Sequence, residues 1–182
     1  MDKLFDVIPR TEGERIVLER LCSRDIPALE ELVSDGEVYR YLPSFLAERQ
    51  GGDMQQLIGR LYGECILKKE TLILGIFEKP ERRFCGLAEL YGYKEERYSV
   101  CIGYRLSRDC WGKGIATETV RLIAEHLRTH TDIRYLNASC MTDNSASARV
   151  LEKCGFVRTE RAVREDWGLA EPVYADKWQL SV

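Results

Sequence analysis

The sequence lacks any long hydrophobic run, and no stretch approaches the roughly 18 apolar residues that span a membrane. The opening residues, 1–6, carry acids and no extended apolar core, so we expect no secretory signal peptide. Internal repeats, low-complexity tracts and linkers rich in proline, glycine or serine are also missing. These absences predict one domain over residues 1–182, without membrane association.

Paired cysteines and a metal-ligand cluster are missing as well. The seven cysteines are scattered without a C-x-x-C pair, which indicates reduced thiols in a cytoplasm rather than disulfides or structural zinc. The two histidines, His126 and His130, have helical i, i+4 spacing, but no third ligand is apparent. We therefore predict no metal site.

The sequence has no excess of positive charge. Acidic residues outnumber basic ones by 30 to 27, which gives a formal net charge of −3. A nucleic-acid-binding surface needs net basic character, so we predict no nucleic-acid partner. A hydrophobic content of 45% beside 31% charged residues is typical of a folded globular domain.

Hydrophobic periodicity predicts a mixed α/β fold in the order β-α-α-β-β-β-α-β-α-β-β, with a crossover helix between the fourth and fifth of seven strands. The predicted strands are Arg15–Leu21, Thr71–Glu78, Phe84–Tyr91, Tyr98–Leu106, Arg134–Met141, Phe156–Arg164 and Val173–Ser181. The predicted helices are Asp25–Val33, Asp53–Lys68, Gly112–His130 and Ser145–Cys154. The segment Tyr39–Gln50, which contains Pro43, is predicted to be irregular.

A glycine-containing loop joins the fourth strand to the crossover helix, in the run I-G-Y-R-L-S-R-D-C-W-G-K-G-I-A-T-E that starts at Ile102. Gly112 and Gly114 allow a tight turn that presents successive N–H groups beside the positive end of the helix dipole, which suits a diphosphate. Lys113 adds a cation. The pattern also fits an ordinary strand-to-helix turn. It is neither a P-loop nor a dinucleotide fingerprint, whose third glycine is replaced by Thr117.

A second motif, N-S-A-S-A-R-V-L-E-K-C-G-F, begins at Asn144 directly after the fifth strand. Together, W-G-K-G-I-A-T-E and N-x-x-S…L-E-K-x-G-F resemble the GNAT superfamily of N-acetyltransferases. The opening run R-I-V-L-E-R-L-C-S-R-D, from Arg15, is similar to the RimJ/RimL-like branch, which includes enzymes acting on the N-termini of proteins, among them ribosomal proteins. The resemblance covers nearly the whole chain. In one departure, Asp109 stands where the superfamily commonly has Gln or Arg, and we expect this acid to weaken phosphate attraction.

The resemblance implies an α/β (α+β) GNAT acyl-CoA N-acyltransferase fold, in which strands four and five splay apart and acetyl-CoA lies between them. The pantetheine arm would bond to strand four, the diphosphate would rest on the loop amides, and Asn144 would contact the pantetheine or the thioester. The cofactor-binding residues implied in this way are Tyr104, Arg105, Leu106, Trp111, Gly112, Lys113, Gly114, Ile115, Ala116, Thr117, Asn144 and Ser147.

Two residues are candidates for catalysis. Ser147 resembles the serine that stabilises the departing CoA thiolate by hydrogen bonding, although a helix-start serine can instead bond its own backbone. Glu89 interrupts the apolar run G-L-A-E-L-Y and is the candidate general base, with a solvent-facing or edge acid as the alternative. For Glu118, near the start of the crossover helix, we expect a structural role favoured by the helix dipole.

The implied reaction is the transfer of an acetyl group from acetyl-CoA to a primary amine. A protein N-terminal α-amine is the first candidate acceptor, and a small-molecule amine (a polyamine, an amino sugar or an antibiotic) is the alternative, because the acceptor site lies outside the shared motifs. A non-catalytic CoA-binding module is a second alternative, disfavoured by the presence of Asn144 and Ser147. We expect a cytoplasmic monomer or homodimer.

Overall fold

A single twisted sheet carries the fold in the computed structural model, which describes residues 3–42 and 52–182. Within these residues the sheet has eight strands in the order β1-β2-β3-β4-β5-β6-β8-β7. The strands are β1 (Thr11–Glu12), β2 (Ile16–Glu19), β3 (Thr71–Glu78), β4 (Arg83–Lys94), β5 (Ser99–Leu106), β6 (Tyr135–Met141), β7 (Val157–Glu165) and β8 (Val173–Ser181). The helices are α1 (Ile26–Ser34), α2 (Met54–Tyr62), α3 (Glu64–Leu67), α4 (Ile115–His130) and α5 (Ser145–Lys153).

The predicted fold class is confirmed, with α4 as the crossover between the parallel strands β5 and β6. The two-residue strand β1 raises the strand count from seven to eight in the described chain, and it is too short to show a sequence period. The single domain predicted for residues 1–182 stays a prediction. Pro43, in the segment predicted to be irregular, lies outside the described residues, as does the rest of 43–51.

Two of the predicted helices differ from the sequence-based expectation by more than one residue at an end or by a break, and glycine accounts for both differences. The crossover helix begins at Ile115 rather than Gly112, because Gly112 and Gly114 have φ angles of +72° and +78°. The predicted second helix divides into α2 and α3 at Gly63, whose φ of −111° and ψ of −88° lie outside the helical region. A local backbone preference therefore overrides an uninterrupted apolar stripe.

The sheet separates two hydrophobic cores, because side chains alternate between its faces. On β3, Leu72, Leu74 and Ile76 face the core that contains α4, whereas Ile73 and Phe77 face the core beneath α1 and α2. The crossover helix packs into the first core through five buried residues, Ile115, Val120, Ile123, Ala124 and Leu127. Each large aliphatic side chain buried in this way contributes roughly 1.5–3 kcal/mol to folding.

The parallel strands β5 and β6 separate after a short paired stretch, as predicted for the fourth and fifth strands. Their pairing joins Ser99 to Tyr135 and ends at Cys101, opposite Asn137, in the part of the chain that the structure describes. On its other side, β5 stays paired with β4 as far as Leu106. The carboxyl-terminal half of β5 therefore has a neighbouring strand on one side only.

None of the helices within residues 3–42 and 52–182 is both long enough and apolar enough to cross a bilayer.

Candidate active site

The gap between β5 and β6 opens into a cavity of about 450 Å³. Pockets that bind small molecules and cofactors have volumes of about 300–1,000 Å³, so the cavity suits such a ligand. Its walls are β5, β6, the loop before α4, the first turns of α5 and part of the segment after α1. The predicted cofactor-binding residues that line it are Tyr104, Arg105, Leu106, Trp111, Gly112, Gly114, Ile115, Ala116, Thr117, Asn144 and Ser147.

The main chain of β5 presents hydrogen-bonding groups to this cavity. The N–H of Ser107 donates to the carbonyl of Cys85 on β4 at 2.9 Å, and the carbonyl of Arg105 also faces β4. Because the hydrogen-bonding direction alternates along a strand, the N–H and C=O groups of Ile102 and Tyr104 point towards β6. Since β6 has diverged at this level, these polar groups can pair with an extended ligand.

The amino-terminal end of α4 provides a second set of main-chain hydrogen-bond donors at the cavity. The N–H of Glu118 makes the first main-chain bond of the helix, to the carbonyl of Gly114 at 3.1 Å. The N–H groups of the three helical residues before Glu118, Ile115–Thr117, consequently have no intrahelical acceptor. With the positive end of the helix dipole, they make an environment that favours a bound anion such as a phosphate group.

The unexpected acid of the loop is held in an ion pair. The carboxylate of Asp109 pairs with the guanidinium of Arg83 on β4. Arg108, its neighbour, donates from Nε to Oδ2 of Asp35 at 2.7 Å. The negative charge of Asp109 is therefore balanced by Arg83, so it should repel a phosphate group less than the sequence alone suggests.

Trp111 is an exposed aromatic residue in the wall of the cavity. Its side chain is fixed by a hydrogen bond from Nε1 to the carbonyl of Leu106, at 2.8 Å, and the residue remains 48% exposed.

Lys113, between the two loop glycines, is not part of the lining, and its carbonyl accepts a hydrogen bond of 2.6 Å from Nη1 of Arg15. The loop thus contributes its main chain and an aromatic face to the cavity.

Asn144, Ser147 and Tyr104 form a connected group on the opposite wall. Asn144 caps α5, since its Oδ1 accepts a 3.1 Å bond from the N–H of Ser147. The Oγ of Ser147 lies 2.8 Å from the hydroxyl of Tyr104. Burial raises the pKa of Tyr104, and this effect outweighs the opposing effect of the bond to Ser147. The phenol therefore stays protonated at neutral pH and can donate to Ser147.

Sequence analysis placed Tyr104 in the site only through its main chain and did not predict its hydroxyl contact. In the structure the ring packs against the core that contains α4, and the packing of α5 against β5 brings Ser147 beside it. Arg15 was likewise expected only in a strand, and its bond to the loop spans 98 positions of sequence. Contacts over such separations leave no local pattern in the sequence.

Glu89 lies apart from this group, on the other face of the sheet. It is buried, and its Oε2 accepts from both terminal nitrogens of Arg105 at 3.2 Å, while Oε1 accepts from Thr71 at 3.0 Å. Glu89 does not line the cavity, but it lies opposite Gly103 of β5, which does. The guanidinium of Arg105 bonds to Glu89 and its carbonyl faces β4, so neither group supports the predicted hydrogen bond of Arg105 to the cofactor, although the residue lines the cavity.

Clustered metal ligands are absent from the described ranges, 3–42 and 52–182. The rings of His126 and His130 stack with centroids 4.8 Å apart on α4.

A sheet that opens between two parallel strands, beside donors at a glycine-bounded helix start, is the architecture of a transferase that uses an acyl-CoA thioester. The chain matches the family model described as acetyltransferase (GNAT) domain over residues 15–157. The chain belongs to this family and is an N-acetyltransferase with acetyl-CoA as its acetyl donor.

Curated relatives and solved structures agree with this assignment. An uncharacterized N-acetyltransferase, YoaA of Bacillus subtilis (strain 168), is 26% identical over 152 residues, which cover 82% of this chain and 84% of the relative. A GNAT-family acetyltransferase from Bacillus anthracis has a similar fold, with a TM-score of 0.78, 19% identity and coverage of 95% of this chain and 98% of that one.

Two further solved structures share the fold and differ in the acceptors that they are named for. RimL, a ribosomal L7/L12 alpha-N-protein acetyltransferase in complex with CoA, has a TM-score of 0.78 and 18% identity, and the match covers 97% of this chain and 98% of that one. Spermidine N-acetyltransferase from Vibrio cholerae, with CoA and spermine, has a TM-score of 0.76, 15% identity and coverage of 93% and 96%. At these identities the likeness shows the fold alone.

Proposed function

We propose that the cavity between β5 and β6 holds acetyl-CoA. The N–H groups of Ile115–Thr117 and the turn at Gly112 and Gly114 bind its diphosphate. The outward main-chain groups of Ile102 and Tyr104 bond to its pantetheine arm. The observation that carries this proposal is the end of β5–β6 pairing at Cys101, which leaves main-chain donors and acceptors facing the cavity.

Bound acetyl-CoA supplies a thioester whose carbonyl carbon can be attacked by a neutral amine. In this proposal a main-chain N–H of β5 polarises the carbonyl as a preorganised donor. Oγ of Ser147 lies 2.8 Å from the phenol of Tyr104. In this proposal the phenol donates to Oγ, which allows the serine hydroxyl to donate to the departing thiolate. Asn144 fixes the start of α5 and thereby the position of Ser147.

We further propose Glu89 as the group that receives the proton of the amine, through an intervening water. This proposal is supported by the position of Glu89, which lies opposite Gly103 of β5. Gly103 lines the cavity and has no side chain that would separate a water molecule in the cavity from Glu89. Replacement of Glu89 by glutamine tests this role, as described in the Discussion.

For the acceptor, we propose a protein N-terminal α-amine, as in the RimJ/RimL-like branch. The opening run from Arg15 resembles that branch, and RimL shares the fold over nearly the whole chain. Glu37, whose side chain is exposed, also lines the cavity, where it forms a 3.8 Å ion pair with Arg40. A cytoplasmic location fits the seven free cysteines, and we propose a monomer or a homodimer there.

A thiol-release assay with acetyl-CoA and a panel of amines tests the proposed acceptor. The panel contains a peptide with a free α-amine, the same peptide with a blocked α-amine and a free lysine, spermidine and an amino sugar. We expect the free α-amine peptide to give the highest kcat/KM and the blocked peptide to be inactive. Preferential turnover of spermidine or of the amino sugar would overturn the choice of a protein acceptor.

A further inference from the structure

An ion pair behind the glycine-containing loop links the first part of the chain to the site. Nε of Arg15 donates to Oε2 of Glu118 at 2.9 Å, and Nη1 of the same guanidinium donates to the carbonyl of Lys113 at 2.6 Å. The other carboxylate oxygen of Glu118 accepts from the main-chain N–H groups of Arg15 at 2.8 Å and of Ile16 at 3.3 Å. Glu118 thus holds both the side chain and the main chain at the start of β2.

The bond from Arg15 to Lys113 determines the orientation of one peptide group in the loop. The carbonyl of Lys113 and the N–H of Gly114 belong to the same planar trans peptide, so they point in opposite directions. Because the carbonyl is held towards Arg15, the N–H of Gly114 points away from Arg15. Gly114 separates the cavity between β5 and β6 from a second cavity, of about 760 Å³, which Arg15 lines on the other side of the loop. An N–H that points away from Arg15 is therefore presented to the cavity between β5 and β6.

Arg15 also packs closely behind Gly114. A Cβ atom at Gly114 would lie 3.1 Å from Nη2 of Arg15, so the guanidinium fits against the glycine with little free space. Because the guanidinium of Arg15 is hydrogen-bonded to the loop and to Glu118, the loop has fewer alternative conformations that compete with the one suited to binding. Glu118 is mostly shielded from solvent, with a side chain 15% exposed, which limits screening of its contact with Arg15.

We propose that Arg15 is a positioning residue for acetyl-CoA binding, which acts through the carbonyl of Lys113 and is itself oriented by Glu118. The proposal rests on the proposed role of the loop as the diphosphate site. Arg15 makes no contact with the cavity, so its contribution is to hold the loop in the conformation that presents the N–H of Gly114.

The test compares two acetyl donors, acetyl-CoA and S-acetylpantetheine, which has no diphosphate. We expect Arg15→Gln and Glu118→Gln each to raise the KM for acetyl-CoA roughly 5- to 10-fold, the effect of losing one or two hydrogen bonds. The kcat with acetyl-CoA and the kcat/KM for S-acetylpantetheine should stay close to wild type. The double variant should resemble the single variants, because the two residues act as one unit.

Arg10→Gln is the matched control, because Arg10 makes exposed ion pairs with Glu12 and Glu19 on the same part of the sheet but has no contact with the loop. It should leave both donors unaffected. A proportional loss of kcat/KM for both donors in the Arg15 and Glu118 variants would show a merely structural role and overturn the proposal. Arg15→Lys, which keeps the charge but not the planar fork, should recover only part of the affinity for acetyl-CoA.

The outcome also separates this inference from the diphosphate assignment. If wild type uses S-acetylpantetheine as efficiently as acetyl-CoA, the loop does not bind a diphosphate and the proposed function is wrong at this point. If wild type strongly prefers acetyl-CoA but Arg15→Gln keeps the wild-type KM, the nucleotide part of acetyl-CoA is recognised and the positioning role of Arg15 is overturned.

Discussion

The hydroxyl of Tyr104 and Oγ of Ser147 lie 2.8 Å apart, although 43 positions separate them in the sequence. The contact joins β5 to the first turn of α5 across the floor of the cavity. It also explains why Ser147 need not bond its own helix, since a buried phenol satisfies its oxygen. The two hydroxyl groups are therefore best treated as one functional unit.

Ser147→Ala should lower kcat by roughly 10- to 100-fold, because a hydrogen bond to a charged group contributes about 1.5–3 kcal/mol. The KM for acetyl-CoA should change little, since the loop and β5 provide most of the binding contacts. Steady-state kinetics by thiol release measures both constants. Ser145→Ala is the matched control, because Ser145 starts the same helix but does not line the cavity.

Tyr104→Phe extends this prediction to the pair of residues. It should reduce kcat less than Ser147→Ala does, and it should have little further effect in the Ser147→Ala background. Equal turnover in wild type and Ser147→Ala would remove the serine from the mechanism. Additive losses in the double variant would show that the two hydroxyl groups act separately.

Gly114→Glu should abolish measurable acetyl-CoA binding. Its φ of +78° disfavours any side chain, a Cβ would meet Arg15, and the added carboxylate would repel a phosphate group. Isothermal titration calorimetry with CoA measures the loss directly. Gly59→Glu serves as the control, since Gly59 lies on α2 with open space where a Cβ would stand. Wild-type affinity in Gly114→Glu would refute the diphosphate assignment.

The buried pair of Arg105 and Glu89 should make a large difference to stability when only one partner is removed. Arg105→Met leaves the carboxylate of Glu89 buried without its guanidinium, and we expect a loss of about 3–5 kcal/mol in the free energy of unfolding. Urea denaturation measures it. The double variant Arg105→Met/Glu89→Leu should recover much of this loss, because no unpaired charge remains.

Glu89→Gln addresses catalysis at the same pair. If Glu89 accepts the proton of the amine, this variant should lose roughly 100-fold or more in kcat. It also leaves the buried guanidinium of Arg105 without its carboxylate, so turnover is measured under conditions in which urea denaturation shows the variant to be folded. A stable Glu89→Gln protein with wild-type turnover would assign Glu89 a structural role only.

Stability at acidic pH should depend in part on Asp25, a buried residue that precedes α1. Burial by itself would raise its pKa, but hydrogen bonds from Arg82 and from Cys22 outweigh burial and leave the pKa below its ordinary value. A lowered folded-state pKa stabilises the fold above the unfolded-state value of about 3.9, and this stabilisation is lost as the pH falls towards the folded-state value.

The comparison of wild type with Asp25→Asn measures this contribution. The difference in the free energy of unfolding should be largest at about pH 7 and should shrink as the pH falls below about 4. Urea denaturation at several pH values gives the difference. A difference that stays constant across this range would show that the charge of Asp25 does not stabilise the fold.

The sequence was sufficient to predict the architecture because the relevant signals are local. The apolar stripe of α4 and the alternation of β3 follow from residues three, four or two positions apart, and the loop motif occupies consecutive positions. Contacts between segments that are distant in the sequence could not be predicted from such local signals. The order of the last two strands, the bond of Tyr104 to Ser147 and the ion pair of Arg15 with Glu118 depend on tertiary packing.

Predicted helix boundaries were wrong where a single glycine interrupts a helical pattern in the residues around it. Gly63 interrupts a continuous apolar stripe between α2 and α3, and the positive φ angles of Gly112 and Gly114 delay the start of α4. Gly112 and Gly114, on which the predicted diphosphate site depends, are therefore also the residues at which the predicted helix start was wrong.

The placement of β8 between β6 and β7 has a consequence for the wall of the cavity. β8 pairs with β6 along seven positions, from Tyr135 opposite Ser181 to Met141 opposite Ala175. Residues 138–141 of β6 line the cavity, whereas no residue of β8 does. A substitution that weakens the pairing of β8 with β6 can therefore alter the shape of the cavity without removing any group that lines it.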